Sequence, residues 1–251
     1  MSKINQILAN WIPNDIHTLR WFEQFEVSQR LAFQYSESGT LRRIGEGVFV
    51  RSNDELFWSA AVRAMQEELK LDIHVSGISA LFLQGLSHQL LSGELIEITS
   101  YSRASLPIWV RKNDWGATLQ LRQSKLFQVP LSYQDHESQG ISFKIASREL
   151  AILEYIASSE LRYSFSSIED QLVSLRTMQN SVLQKLLEAC RSVKTKRVFL
   201  YLSRELQMPF YDKLDLSHID LGSGKRVIVE SGKLDPEFQI TVPRGNEENP
   251  F

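Results

Sequence analysis

The chain has 251 residues, 43% hydrophobic and 23% charged, with a formal net charge of −2. That balance excludes a low-complexity chain and any global basic signal, so a nucleic-acid face would have to be local. The single cysteine, Cys190, rules out an internal disulfide framework and reads as a small buried hydrophobe in a helical run; no apolar run is long enough to span a membrane.

Residues 3–11 predict a short amphipathic helix with Ile4, Ile7, Leu8 and Trp11 on one face, stopped by Pro13. Residues 19–25 predict a second helix, with Trp21, Phe22 and Phe25 at core spacing. A third begins near Ser28, with Val27, Leu31, Gln34, Tyr35 and Ser38 on one side and Gln29, Arg30, Ala32, Phe33 and Ser36 pointing elsewhere. Gly39 stands where a helix C-cap would sit. Residues 41–44 and 48–51 are two short apolar runs around Gly45-Glu46-Gly47, which is a hairpin signal. Three helices and a basic hairpin in about 52 residues describe a winged helix-turn-helix, whose third helix would enter the major groove while the hairpin lies against phosphates. Spacing alone leaves open an α+β domain that touches no nucleic acid.

Polar residues 52–54 suggest a boundary, giving a DNA-binding domain over 1–53 and a mixed domain over 54–251. In the second part, residues 56–69 predict a helix, 72–76 a strand, and 79–85 a short buried helix. Residues 94–99, 106–111, 117–122, 126–129 and 141–145 predict a sheet. Helices are expected from 147 through 156, as one long element over 168–191, and over 194–206. Residues 214–219, 225–229 and 238–242 predict closing β structure, and 244–251 a disordered tail. The fold class expected is therefore α+β, a winged helix followed by a mixed α/β domain.

Catalytic signatures are weak. Gly77-Ile78-Ser79-Ala80-Leu81 approaches a nucleophile elbow but has Leu81 where the second glycine is needed, so Ser79 reads as a helix cap. Gly222-Ser223-Gly224-Lys225-Arg226 lacks the first glycine and the final Ser or Thr of a phosphate-binding loop, so a β-turn is the better account. The histidines His17, His74, His88, His136 and His218 show no close metal spacing. Asp212, Asp215 and Asp220 would be the carboxylates of a nuclease, though turn-rich segments commonly carry such residues. No catalytic residue, metal or cofactor is expected. The N-terminal residues lack the apolar core of a secretory signal, and the expectation is a cytoplasmic protein.

Taken together, these segments resemble the AbiEi family of antitoxins from type IV toxin–antitoxin and abortive-infection systems. The resemblance is carried by Trp21-Phe22, Val27-Ser28, Leu31, Tyr35, Ser38-Gly39, Leu41 and 44–49. It continues through Trp58, Ala61, Gln66, 74–81 and Gly85-Leu86, and through 197–200, 221–226 and 240–243. It covers nearly the whole chain. Glu26 departs from it, standing where the family usually has glycine, and so does Thr40, where an aromatic is common.

The resemblance implies a non-enzymatic repressor whose winged helix binds inverted repeats in double-stranded DNA upstream of its own operon. It also implies a C-terminal domain opposing a nucleotidyltransferase-like toxin, AbiEii, without necessarily forming a stable complex with it. Carried onto this sequence, the groove face would be Ser28, Gln29, Arg30, Phe33 and Ser36. Gln29 would suit adenine, Arg30 guanine, and Phe33 a thymine methyl or packing against the first helix. Arg42, Arg43 and Arg51 would meet phosphates from the wing. A second basic cluster, Lys194, Lys196, Arg197 and Arg204 with Lys225 and Arg226, would extend the DNA footprint, meet an acidic toxin or its RNA substrate, or simply be a solvated face. Two rivals remain open on the residues: a nuclease-like enzyme positioned by the winged helix, and an interaction scaffold with a degenerate one.

Overall fold

Capping residues open two of the first three helices. In the computed structural model, which describes residues 2–87, 95–128, 132–158 and 161–244, Ser2 caps α1 (Lys3–Asn10) by accepting the Asn5 amide hydrogen. A two-residue strand β1 (His17–Thr18) precedes α2 (Leu19–Glu23) and α3 (Gln29–Glu37). The hairpin β2 (Leu41–Gly45) and β3 (Val48–Arg51) follows, and the strands pair antiparallel in the order β1-β3-β2. Two residues carry no readable period, which is why β1 was not among the expected elements. Ser28 caps α3 by accepting from the Leu31 amide. At the other end Gly39 is left-handed (φ 77°), with Gly39 N–H bonded to Ser36 O and Thr40 N–H to Tyr35 O. Those two bonds are a Schellman closure, and they turn the chain straight into the wing.

The core of this part is Ile7, Trp11, Phe22, Val27, Ala32, Leu41 and Phe49. Rings meet edge to face from α1 to α3: Trp11 with Phe22 (5.8 Å), Phe22 with Phe49 (5.4 Å), Phe49 with Phe33 (5.8 Å). Such pairs add to the area term and fix relative orientation. The buried face of α3 is rotated from the expected one. Ala32 is fully buried, while Gln34 and Ser38 are exposed. A small side chain at the point of closest approach lets the helix backbone sit against the aromatic core, with Leu31, Phe33 and Tyr35 flanking it.

The following helix α4 (Trp58–Arg63) runs directly into a π-helical turn, Ala64–Glu68. The wider turn presents two side chains inward. Gln66 donates to Ile73 O (3.0 Å) and Lys144 O (2.9 Å) and accepts from Lys144 N (2.8 Å). Glu68 accepts from the Thr18 amide and bonds His17 Nδ1 (2.7 Å). Arg63 bridges Glu68 (2.8 Å) and Asp15 (2.7 Å) and also donates to Ile16 O. The His17 ring stacks on Trp21 (3.7 Å). Burial pushes the Asp15 carboxyl up despite Arg63. For Glu68 burial acts in the same direction, but the bond and charge of His17, with Arg63 and the Thr18 amide, leave it below its ordinary value.

A five-stranded mixed sheet is formed in the order β6-β5-β4-β8-β7 by β4 (His74–Val75), β5 (Leu95–Ser100), β6 (Thr118–Gln123), β7 (Tyr133–Ser138) and β8 (Ile141–Ala146). The strand expected over 106–111 is instead the helix α6 (Ile108–Lys112). Pro107 presets its start, and Trp109 and Asn113, four residues apart, both face the wing. Asn113 Nδ2 donates to Ile44 O (2.9 Å), and Trp109 lies so close to Gly45 that a Cβ there would come within 2.5 Å of it. Residues 126–128 form no strand, and Val129 lies outside the described residues.

The chain packs as two compact units, one of Met1–Val75, Leu91–Gln123 and Gln134–Ile145, the other of Ser76–Leu90, Ser124–Tyr133 and Ala146–Phe251. The winged helix and the sheet belong to the first, so the boundary expected after residue 53 falls inside it. The second unit is built from α5 (Gly77–Leu83), α7 (Arg148–Ser158), α8 (Leu161–Val173), α9 (Asn180–Ala189) and α10 (Val193–Glu205), with the antiparallel pair β9 (Lys233–Asp235) and β10 (Ile240–Val242). Ser76, not Ser79, stands at the start of α5, and Ser79 is buried within the helix. The long helix expected over 168–191 is two helices. Their linker is held by α7, where Arg148 donates to Thr177 O (3.0 Å) and Glu149 accepts from the Gln179 amide (2.8 Å). The stretch 225–229 forms only a bridge between Arg226 and Ile240. Residues 245–251 of the tail expected to be disordered lie outside the described residues.

Candidate nucleic-acid interface

The nine-residue helix α3 turns one face to solvent. Gln29, Arg30, Phe33, Gln34 and Glu37 line a single shallow, open depression along it. Residues 29, 33 and 37 are spaced by four, as are 30 and 34, so this is one helical stripe. Gln29 and Arg30 stand in it as the sequence suggests. Gln34 and Glu37 also line it, although the apolar period of Val27, Leu31 and Tyr35 puts Gln34 on the core side; their four- and eight-residue spacing from Arg30 and Gln29 is the sequence signal for the stripe. Ser28 is exposed and its hydroxyl caps the helix, and Ser36 is half-buried. Phe33 packs edge-on against Phe49 of β3 and against the core cluster that includes Ile7 of α1.

The wing arginines lie in three different settings. Arg43 is exposed. It is paired in register with Phe49 and so lies on the α3 side of the hairpin, its guanidinium carbon 4.9 Å from the centre of the Phe33 ring. Arg42 is paired with Val50 on the opposite face and donates to Asp54 O (2.6 Å). Arg51 is half-buried and forms a two-pronged pair with the Asp54 carboxylate, Nε to Oδ2 3.0 Å and Nη2 to Oδ1 3.0 Å. Asp54 also accepts from the Asn14 amide (2.8 Å). Arg51 is thus a neutralised structural residue, while Arg42 and Arg43 reach solvent.

The turn between α2 and α3 shows why glycine suits position 26 and what the departure costs. Glu26 adopts a left-handed conformation (φ 53°), where glycine is at ease and other residues are strained. Its carbonyl accepts from Lys3 Nζ (2.7 Å), and its carboxylate lies 3.6 Å from the same nitrogen.

The second basic cluster does not form one surface. Lys196 and Arg197 are each 3% exposed. Arg197 donates to four backbone carbonyls, those of Leu221 (2.8 Å), Gly222 (3.2 Å), Gly224 (2.7 Å) and Gln239 (3.3 Å). It therefore folds the 221–224 turn onto α10. Burial, with Arg226 nearby, lowers the pKa of Arg197. Arg204 is ion-paired with Asp235 (2.6 Å), Glu205 (2.9 Å) and Glu237. Only Lys194, Lys225 and Arg226 of that cluster are exposed. Helical spacing shows that α10 has two faces but not which one is covered, and here residues 195–200 are buried all round.

The carboxylates considered for metal chemistry are engaged locally. Asp215 accepts from the amide and hydroxyl of Ser217 and lies 3.0 Å from His218, and Asp220 accepts from the Gly222 amide. Among the described residues no group of three or more His, Cys, Asp or Glu could hold a metal ion. His88 lies outside the described residues. Cys190 is buried, and burial pushes its thiol up. No described helix is long and apolar enough to cross a membrane.

Residues 1–92 match the family described as the N-terminal domain of the AbiEi antitoxin transcriptional regulator, and residues 94–243 match the family described as transcriptional regulator, AbiEi antitoxin, type IV TA system. Among solved structures, the RV2827C protein from Mycobacterium tuberculosis aligns with a TM-score of 0.59 at 13% identity, over 95% of this chain and 89% of that one, which is a likeness of fold. No curated protein matches the chain. The two matches together span nearly all of it, and the chain belongs to the AbiEi antitoxin family of type IV toxin–antitoxin transcriptional regulators.

Proposed function

We propose that this regulator represses its own operon by binding inverted repeats in the upstream double-stranded DNA, and that it opposes a nucleotidyltransferase-like toxin encoded with it. One observation supports the DNA-binding half above all. The exposed stripe of α3 carries Gln29, Arg30 and Gln34, which are base-edge donors, beside a hairpin whose Arg43 faces the same side. In this reading α3 enters the major groove, Arg30 reads a guanine, and the glutamines suit adenine. Arg42 and Arg43 meet phosphates. The antitoxin half lies in the part of the chain that follows the winged helix, within 54–251, acts without catalysis in the cytoplasm, and needs no stable complex with the toxin.

The test is a gel shift of the purified chain on its own upstream DNA against random DNA of equal length, across a salt series. Binding to the upstream DNA that survives near-physiological salt, with random binding lost, is the expected outcome. Arg30→Ala is expected to cost roughly 1–3 kcal/mol on the operator and to relax one base pair. Equal loss on both DNAs would remove Arg30 from base reading. Equal, salt-fragile binding of the wild type to both DNAs would refute sequence-specific repression. Rescue of growth by co-expression with the adjacent toxin tests the other half.

A further inference from the structure

We propose that Phe33 is a positioning residue for Arg43: the recognition helix holds the wing's helix-side arginine over its own aromatic ring and so fixes where the wing meets a DNA phosphate. This rests on the DNA-binding reading above.

Three contacts define the arrangement. The register Arg43 opposite Phe49 sends the arginine toward α3. The guanidinium carbon then sits 4.9 Å from the Phe33 ring centroid, within cation–π range. The Arg43 Nε donates to Gly45 O (2.9 Å), which leaves the two terminal nitrogens as its remaining donors. Among the described residues the terminal guanidinium nitrogens of Arg43 make no hydrogen bond. Phe33 is itself fixed, edge-on to the fully buried Phe49.

The chemistry of the guanidinium makes stacking and phosphate binding compatible. Its attraction to a ring uses its face, whereas its N–H donors lie in its plane. An arginine lying on Phe33 therefore keeps its two-pronged edge free for a phosphate. A free arginine side chain loses much rotamer freedom on binding, and one held in advance loses less. The same contact covers the Phe33 ring face, which argues against Phe33 as a reader of a thymine methyl.

Fluorescence anisotropy on operator and random DNA over a salt series tests this, using Phe33→Leu, Phe33→Tyr, Arg43→Ala, Arg43→Lys and the Phe33→Leu/Arg43→Ala pair. Leucine keeps apolar packing against Phe49 and removes the ring. Phe33→Leu is expected to weaken operator and random DNA by the same factor, about two- to fivefold, with Phe33→Tyr at the wild-type level. In the Arg43→Ala background, Phe33→Leu is expected to have no further effect. Arg43→Lys leaves Phe33 packing untouched, keeps the charge and loses the planar fork, and is expected to lose a similar factor. An equal Phe33→Leu penalty with and without Arg43, a loss confined to the operator, or full binding by Arg43→Lys would each overturn the inference. A wild-type chain that binds neither DNA would overturn the DNA-binding reading and this inference with it, so the two failures are distinguishable.

Discussion

Glu26→Gly is expected to make the protein more stable, and the size of the gain can be worked from the turn. Glu26 sits at φ 53° between α2 and α3. A non-glycine residue in that region costs roughly 1–2 kcal/mol, while glycine loses about 0.5–1 kcal/mol more chain freedom on folding. The side-chain pair with Lys3, at 3.6 Å with side-chain exposures of 44% and 88%, contributes at most a few tenths of a kcal/mol. The backbone bond from Lys3 to the Glu26 carbonyl survives the substitution. The net gain is about 0.5 kcal/mol. Glu26→Ala removes the same charge but keeps the left-handed strain, so glycine is expected to exceed alanine by about 0.5–1 kcal/mol. The assay is urea unfolding followed by tryptophan fluorescence, since Trp11 and Trp21 lie in or against the core of this part. With a slope of about 2 kcal/mol per molar, the glycine variant should move the midpoint up by about 0.3 M relative to wild type. If alanine stabilises as much as glycine, the charge and not the backbone limits this turn, and the strain argument is refuted. If α3 reads DNA as proposed, both variants should bind it more tightly than wild type by a similar, salt-sensitive factor, because both remove a carboxylate beside α3.

Other substitutions follow from the same contacts. Arg51→Ala breaks a half-buried pair and should cost about 1–3 kcal/mol in urea unfolding while leaving the salt slope of DNA binding unchanged, whereas Arg43→Ala should lower that slope by about one; a lowered slope for Arg51→Ala would return it to the interface. Gly45→Ala places a carbon 2.5 Å from Trp109 Cβ and should destabilise by about 1–3 kcal/mol; wild-type stability would show that α6 yields freely. Glu68→Gln should cost about 3 kcal/mol at neutral pH by leaving Arg63 and His17 incompletely paired. The folded Glu68 lies below the ordinary value of 4.5, so its stabilisation is present above pH 4.5 and is lost as the pH falls through the folded value. Asp15, raised above 3.8, acts with the opposite sign, which makes the wild-type minus Glu68→Gln difference the clean observable. That difference should shrink below pH 4.5, and a difference constant from pH 6 to 3 would contradict the assignment.

How much of this could be read in advance differs by element. Caps and turns carried their own signals: Ser28, Gly39 and Ser147 stand where helices α3 and α7 begin or end. The hairpin was legible because two short apolar runs flank glycines. What failed depended on partners distant in sequence. The period of 106–111 fits a strand, but Pro107 and the packing of Trp109 on Gly45 select a helix. The α3 stripe was misassigned because Leu31 and Tyr35 mark a broad apolar arc, and only the position of Phe49 shows that Ala32 is its centre. Arg197 and Arg204 read as surface cations by composition. Their carbonyl and carboxylate partners lie 24 to 42 and 1 to 33 residues away, most of them beyond the reach of local pattern. The charge of an arginine is visible in sequence; whether that charge is already engaged is not.

The stitches that hold the winged helix have a consequence for anyone who would graft it. Asp54 restrains Arg42, Arg51 and Asn14; Glu68 and Arg63 hold the loop before α2; Asn113 and Trp109 brace the wing tip. All of these lie after residue 53. A chimera that transplants only residues 1–53 onto another effector would carry α3 but leave its hairpin and first strand without their anchors. A transplant that keeps 1–123 would carry all of these anchors along, so the portable winged-helix cassette of this chain is more than twice as long as its helix-turn-helix.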